Sequence, residues 1–297
     1  MKEQLKQEKL RLMVFKSALE LGNKIDEHLL DLYNYDKNKY TFIVPINELF
    51  FEDGHLKVEI NSTVRGKNVF LLTDIGNYSI EYNMHGFINH ASPNDLLEQL
   101  LDGIGASNCH ADKLNVIMPL LYAGRQHRRN VYLNSFNSKY IKRYAGGFIK
   151  QRDYNRFEGG KYPVISHDYF GTENIKGKTA IVVDDMISSG GSMFDVIDEL
   201  NKRKVGHIYI MVTFALFTRG IDKFKEYYEK GFFDGIYTTN LSYIPECYKQ
   251  EKWLHVCDCS SEIAEIIYNM HNDLSITDIL SDKSKPIKLL ERKFNNE

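Results

Sequence analysis

The stretch TAIVVDDMISSGGS, residues 179–192, decides the fold. Its first five residues are apolar and mostly β-branched, which reads as a short buried strand. Asp184 and Asp185 follow, then a turn made of Ser188, Ser189, Gly190, Gly191 and Ser192. Beyond it, Met193, Val196, Ile197 and Leu200 recur at helical spacing, with Ser192 in the capping position of a helix over 193–204. A strand, a glycine turn and a helix in this order belong to a parallel sheet, where ligands bind beyond the carboxyl ends of the strands. The glycines let backbone N–H groups approach a ligand closely, and the first helical turn offers its amides to a phosphate. Ser188, Ser189 and Ser192 add hydroxyl donors. Two acids beside a phosphate repel it, so Asp184 and Asp185 should face sugar hydroxyls or a hydrated Mg2+. The plainer reading of the same residues is a helix cap beside two solvated acids.

The same grammar extends in both directions. HIYIMVTFAL (207–216) and FDGIYTTN (233–240) read as strands, and 222–230 and 261–271 as helices, with another helix near the C-terminus. Upstream, LKVEI (56–60), NVFLLTDI (68–75), KLNVIMPLL (113–121) and TFIVPI (41–46) read as strands. Ser92-Pro93-Asn94-Asp95 is an N-cap, a first-turn proline and an acid, opening a helix to about residue 106. Residues 5–21 place Leu5, Leu12, Phe15 and Leu19 near helical spacing, with Gly22-Asn23 as a stop and a second short helix over 25–33. Strands alternating with helices predict an α/β protein, its mainly parallel sheets covered on both faces. The polar, basic stretch 125–154 is the expected boundary or loop.

A chain of 297 residues with 43% hydrophobic and 26% charged content has enough apolar material for one or two cores. A net charge of -2 gives no electrostatic case for nucleic acid or an anionic membrane. No apolar run approaches the ~20 residues of a membrane span, and the N-terminus has no signal-peptide core. Four cysteines at this length suggest a reducing cytoplasm. His255, Cys257 and Cys259 alternate along WLHVCDC, and with Cys247 they raise the question of zinc. The spacing is not that of a zinc knuckle, and half-buried strand residues are the reading preferred here.

Three further clusters carry chemistry. Arg125, Gln126 and His127 follow a strand in GRQHRR (124–129), and guanidinium forks suit polyphosphates. Lys150 and Arg152, in KQRDY (150–154), suit the charge that builds on a transferring phosphoryl group. Phe51 and Asp53, in FEDG (51–54), place an aromatic ring and an acid on one turn, enough to clamp a purine or simply to make a β-turn.

The order of these clusters resembles that of the ribose-phosphate pyrophosphokinases (PRPP synthetases), in particular a clostridial branch. VRGKNVFLLTDIGNYS, NHASPNDLLEQL, NVIMPLLYAGRQHRRN, KQRDYN, GTENIKGKTAIVVDDMISSGGS, TFALFTRGIDKF and TTNLSY carry the resemblance, over most of residues 47–243. It implies two phosphoribosyltransferase-like halves, expected at 1–140 and 141–297. It also implies transfer of pyrophosphate from ATP to ribose 5-phosphate with Mg2+, for nucleotide biosynthesis, by a cytoplasmic homo-oligomer. Asp184, Asp185, Ser188, Ser189, Gly190, Gly191 and Ser192 would then bind ribose 5-phosphate, the two acids on the sugar and metal side. Phe51, Asp53, Arg125, Gln126 and His127 would bind ATP, Phe51 and Asp53 from a neighbouring subunit. Lys150 and Arg152 would sit on a loop that closes over the transferred group.

The family pattern has a long central segment, bearing a histidine and a pyrophosphate-binding loop, between the Arg-Gln and Lys/Arg loops. Here only residues 131–149 connect them, without His or Asp. A weakly catalytic paralogue that binds the same ligands, and a phosphoribosyltransferase that consumes PRPP, are therefore the alternatives.

Overall fold

In the computed structural model, the described residues are 8–108, 110–122, 147–152, 164–170, 174–277 and 279. In chain order the first elements are β1 (Leu10–Val14), α1 (Leu19–Leu32), β2 (Ile46–Phe50), β3 (Leu56–Ile60), β4 (Asn68–Leu72), β5 (Glu81–Met84), β6 (Phe87–His90), α2 (Pro93–Asn108) and β7 (Lys113–Ile117). There follow β8 (Gly147–Arg152), β9 (Val164–Phe170), β10 (Thr179–Ile187), α3 (Gly191–Lys202), β11 (His207–Ala215), α4 (Asp222–Glu229), β12 (Gly235–Thr239), α5 (Glu246–Lys249), β13 (Leu254–Cys257) and α6 (Ser260–His271). Two compact units divide the chain: Met1–Ala123 with Asn240–Tyr243 and Asp258–Glu297, and Gly124–Thr239 with Ile244–Cys257. The boundary expected at residue 140 lies outside the described residues.

The first unit is built on a parallel sheet of order β1-β4-β7. Its central strand β4 is buried along its whole length, as a parallel strand covered on both faces must be. On one face, Leu21, Ile25 and Leu29 of α1 share a core with Ala264 and Ile267 of α6. On the other, Leu100 of α2 and Val58 of β3 pack on Met13, Val69 and Leu71. α2 opens on a capping box: the Ser92 N–H donates to Asp95 Oδ2 at 2.7 Å and the Asp95 N–H to Ser92 Oγ at 3.3 Å.

Three expectations for this unit are corrected. The residues read as a helix over 5–21 include strand β1, which pairs with β4 in parallel register; both faces of LRLMV are buried, so no strand alternation was visible. Gly22 does not end a helix but lies inside α1, where a Cβ would stand 2.4 Å from Val14 Cγ1. The stretch 41–46 is extended but contributes only an isolated bridge, Ile43 to Leu12, before β2 begins. The β5–β6 hairpin, with its turn at His85 (φ 52) and Gly86 (φ 81), was not anticipated.

The second unit is a parallel sheet of order β10-β11-β12-β13. Met193, Phe194 and Ile197 of α3 and Phe224 of α4 pack on Ile208, Ile210 and Ile236. On the other face, Ile181 and Val183 of β10 are 60% and 75% exposed and Met211 of β11 is 40% exposed. Among the described residues, no helix is long and apolar enough to cross a membrane.

Candidate functional site

The 184–192 segment sits at the carboxyl end of β10. The strand runs four residues beyond Val183, so Asp184 and Asp185 lie within it. The pleat turns consecutive strand residues to opposite faces. Ala180 and Val182 pack on the helix-covered core, while Ile181 and Val183 are exposed; the alternation does not continue to the end of the strand, where Ile187 enters the helix-covered core. Both acids are exposed, and the Asp185 N–H donates to Asp184 Oδ1 at 2.9 Å.

α3 begins at Gly191 with Gly190, not Ser192, as its N-cap, and no side chain caps it. Gly190 is buried with φ +82, and a Cβ there would stand 2.7 Å from Phe224 Cζ and 2.8 Å from Phe194 Cε2. Only glycine fits on both counts. Gly191 is different: it is exposed, and the nearest atom to a Cβ is Ser189 Oγ at 4.0 Å. One glycine thus shapes the turn, and the other keeps the helix N-terminus open. The loop is held from behind by β11 and the turn after it, where the Leu216 N–H donates to Ile187 O at 2.8 Å and the Thr218 N–H to Ser188 O at 3.0 Å. An open N-terminus flanked by half-buried Ser188 and Ser189 has the chemistry of an anion site.

Phe51 and Asp53 occupy the turn between β2 and β3, in the first unit. Phe51 is 45% exposed. The His55 N–H donates to Asp53 Oδ1 at 3.1 Å, and this bond, with the His55 ring beside it, holds the Asp53 carboxyl below the usual carboxylate range. Asp53 is therefore an acceptor at neutral pH. Lys150 and Arg152 lie on β8, paired with His167 and Val164 of β9, and not on a loop. Arg125, Gln126 and His127 lie outside the described residues.

His255 and Cys257 are on β13, but Cys259 lies past the strand as the N-cap of α6, and Cys247 is in α5. Among the described residues, no three His, Cys, Asp or Glu side chains are grouped to hold a metal.

A second polar cluster had no role in the sequence reading. At the end of β4, buried Asp74 accepts from the Gly76 N–H at 2.9 Å and the Tyr243 N–H at 2.7 Å. The Ser242 hydroxyl lies 3.1 and 3.0 Å from its two oxygens, and the Ser17 hydroxyl accepts the Asp74 N–H at 3.2 Å. Burial lifts the Asp74 carboxyl to about 6 despite these bonds. Both of its oxygens are engaged within the fold, so the cluster ties 240–243 into the first unit and is not a free binding site. TDIGNYS and TTNLSY carried no sign that they meet.

The family model "N-terminal domain of ribose phosphate pyrophosphokinase" matches residues 10–145, and "Phosphoribosyl transferase domain" matches residues 129–250. A ribose-phosphate pyrophosphokinase of Gloeobacter violaceus is 32% identical over 105 residues, 35% of this chain and 30% of that protein. Such local matches span about a third of the relatives' length. Those of Mycoplasmopsis pulmonis and Fusobacterium nucleatum are 18% and 22% identical and align over 88% of their own lengths and 79% and 78% of this chain. The M. pulmonis alignment runs over 299 positions, so the relative has stretches with no counterpart here. The crystal structure of phosphoribosylpyrophosphate synthetase from Mycobacterium smegmatis shares the fold, with a TM-score of 0.61 and 16% identity over 89% of this chain and 99% of that one.

Proposed function

Because this chain belongs to the ribose-phosphate pyrophosphokinase family, we propose that it transfers the pyrophosphoryl group of ATP to the C1 hydroxyl of ribose 5-phosphate, giving PRPP and AMP. The observation that carries the reading is the open N-terminus of α3 behind Gly191, at the carboxyl end of a parallel strand that carries two acids. In this reading the first-turn amides and the hydroxyls of Ser188, Ser189 and Ser192 hold the 5-phosphate. Asp184, exposed beside the loop, accepts from the ribose hydroxyls.

Mg2+ fits this donor set in one way. The exposed carboxylates of Asp184 and Asp185 would meet the ion, with substrate oxygens and water completing the shell. Bound there, the ion would neutralise polyphosphate charge. Phe51 offers its ring to adenine, and ionised Asp53 accepts from the exocyclic amino group, where guanine presents a carbonyl. Arg125, Gln126 and His127 take the polyphosphate, and Lys150 and Arg152 offset charge on the transferred group. The working form is a cytoplasmic homo-oligomer in which Phe51 and Asp53 serve a neighbouring subunit. The test is AMP release from ATP and ribose 5-phosphate by the purified chain; ATP consumed without dependence on ribose 5-phosphate would overturn the reading.

The stretches present in the relatives but not here favour a second reading, a chain that binds both ligands and turns over slowly. Its test is the same assay run beside a full-length relative.

A further inference from the structure

We propose that the β5–β6 hairpin is a brace that sets the pose of Phe51 and Asp53, with Tyr82 and Met84 as positioning residues for the base of a purine nucleotide. This rests on the reading of Phe51 and Asp53 as the base-binding pair. A two-stranded hairpin such as β2–β3 is marginal by itself in water, and Phe51 and Asp53 sit on its exposed turn. A ring and a carboxylate on a loose turn lose affinity to the cost of ordering them on binding.

The neighbouring hairpin removes that looseness at three points. The Tyr82 ring stacks on Phe50, the residue before Phe51, with centroids 4.3 Å apart and planes 14° from parallel. The His85 N–H, at the β5–β6 turn, donates to Glu52 O at 3.1 Å. Met84 Sδ lies 3.0 Å from where a Cβ of Gly54 would be, so the sulfur sits against the backbone of the turn. The brace is rooted: Ile80 and Tyr82 pack with Phe50 on a small core of Ile75, Ala91 and Leu96. The contacts fall on Phe50, Glu52 and Gly54, the residues flanking Phe51 and Asp53, and leave Phe51 45% exposed for a ligand.

The experiment is calorimetric titration of the full chain with ATP, GTP and ribose 5-phosphate, which does not depend on turnover. Tyr82→Ala should weaken ATP binding about three- to tenfold, the cost of ordering one or two side chains. It should also narrow the preference for ATP over GTP and leave ribose 5-phosphate affinity unchanged. Tyr82→Phe, which keeps the stacked ring, should bind as the wild type does. Met84→Ala, a milder change at the turn, should shift ATP binding in the same direction. Phe51→Ala separates the two ideas. If it weakens ATP binding while Tyr82→Ala and Met84→Ala bind like the wild type, the brace is overturned and the base-binding pair stands. If Phe51→Ala also binds ATP normally, the pair itself is overturned, and the brace with it. Loss of ribose 5-phosphate affinity in both Tyr82→Ala and Met84→Ala would mean general damage and would overturn the positioning role.

Discussion

Gly22 of α1 lies directly against Val14 of β1, so that a Cβ on residue 22 would stand 2.4 and 2.7 Å from the two Val14 methyl groups. The helix reaches the sheet only because residue 22 has no side chain. Gly22→Ala should therefore destabilise the first unit. Overpacking costs about 1–3 kcal/mol, which outweighs the ~1 kcal/mol that alanine gains over glycine in a helix. Val14→Ala should restore part of the loss when combined with it. Denaturant midpoints of the two single variants and the double variant check this; simply additive losses would show that the two residues do not meet.

The two glycines of the β10–α3 loop should separate stability from binding. Gly190→Ala forces a Cβ between Phe194 and Phe224 at φ +82. Strain and overpacking of about 1–3 kcal/mol each should lower the unfolding midpoint sharply. A Cβ at residue 191 meets nothing nearer than Ser189 Oγ at 4.0 Å, so Gly191→Val should keep the midpoint while abolishing ribose 5-phosphate binding by calorimetry. Unchanged affinity in Gly191→Val would sink the phosphate assignment.

Asp74 should give stability a pH dependence of defined sign. Its folded value of about 6 lies above the ordinary 3.8, so folding favours the protonated acid. That contribution is full below about pH 4 and is lost as pH rises through 6, over a span of about 3 kcal/mol at most. The Tm of the wild type should fall from pH 4 to pH 7 by more than that of Asp74→Asn, which cannot titrate. Equal slopes would remove Asp74 from the account.

Turnover should be slow. Phosphoryl transfer relies on positioning and charge neutralisation, and each preorganised donor that is lost costs about 10²–10³ in rate. Residues 131–149 supply no His or Asp. The chain should release AMP at least about a hundredfold more slowly than a full-length relative, with His127→Ala slowing it further. Matching rates would restore the plain enzyme reading.

Arg125→Lys should weaken ATP binding and spare ribose 5-phosphate, because lysine cannot reproduce the guanidinium fork. Equal loss of both ligands, by calorimetry, would point to a structural role for Arg125 instead.

What the sequence showed depended on how local the cause was. The β10–α3 unit was legible because strand, turn and helix follow one another within a few residues. Which of its glycines is structural was not, because Phe194 and Phe224 come from two helices that only the fold brings together. β1 was missed because a parallel strand buried on both faces has no alternation to distinguish it from a helix. The β5–β6 turn was missed because His85 takes a left-handed conformation usually given to Asn, Asp or Gly. Ser192 looked like a cap by type, but the chain enters the helix two residues earlier, through Gly190.

The route of the chain has a consequence for its birth on the ribosome. The first unit starts at the N-terminus, yet Ala264 and Ile267 complete the core around Leu12 and Ile25, and Ser242 and Tyr243 complete the shell of Asp74. Among the described residues, the buried core of the second unit ends at Leu254, with half-buried Val256 packed against it. Synthesis proceeds from the N-terminus and domains fold as units, so the portion translated first closes last. Its β1-β4-β7 sheet must wait, one face covered by α1 alone, until α6 has emerged.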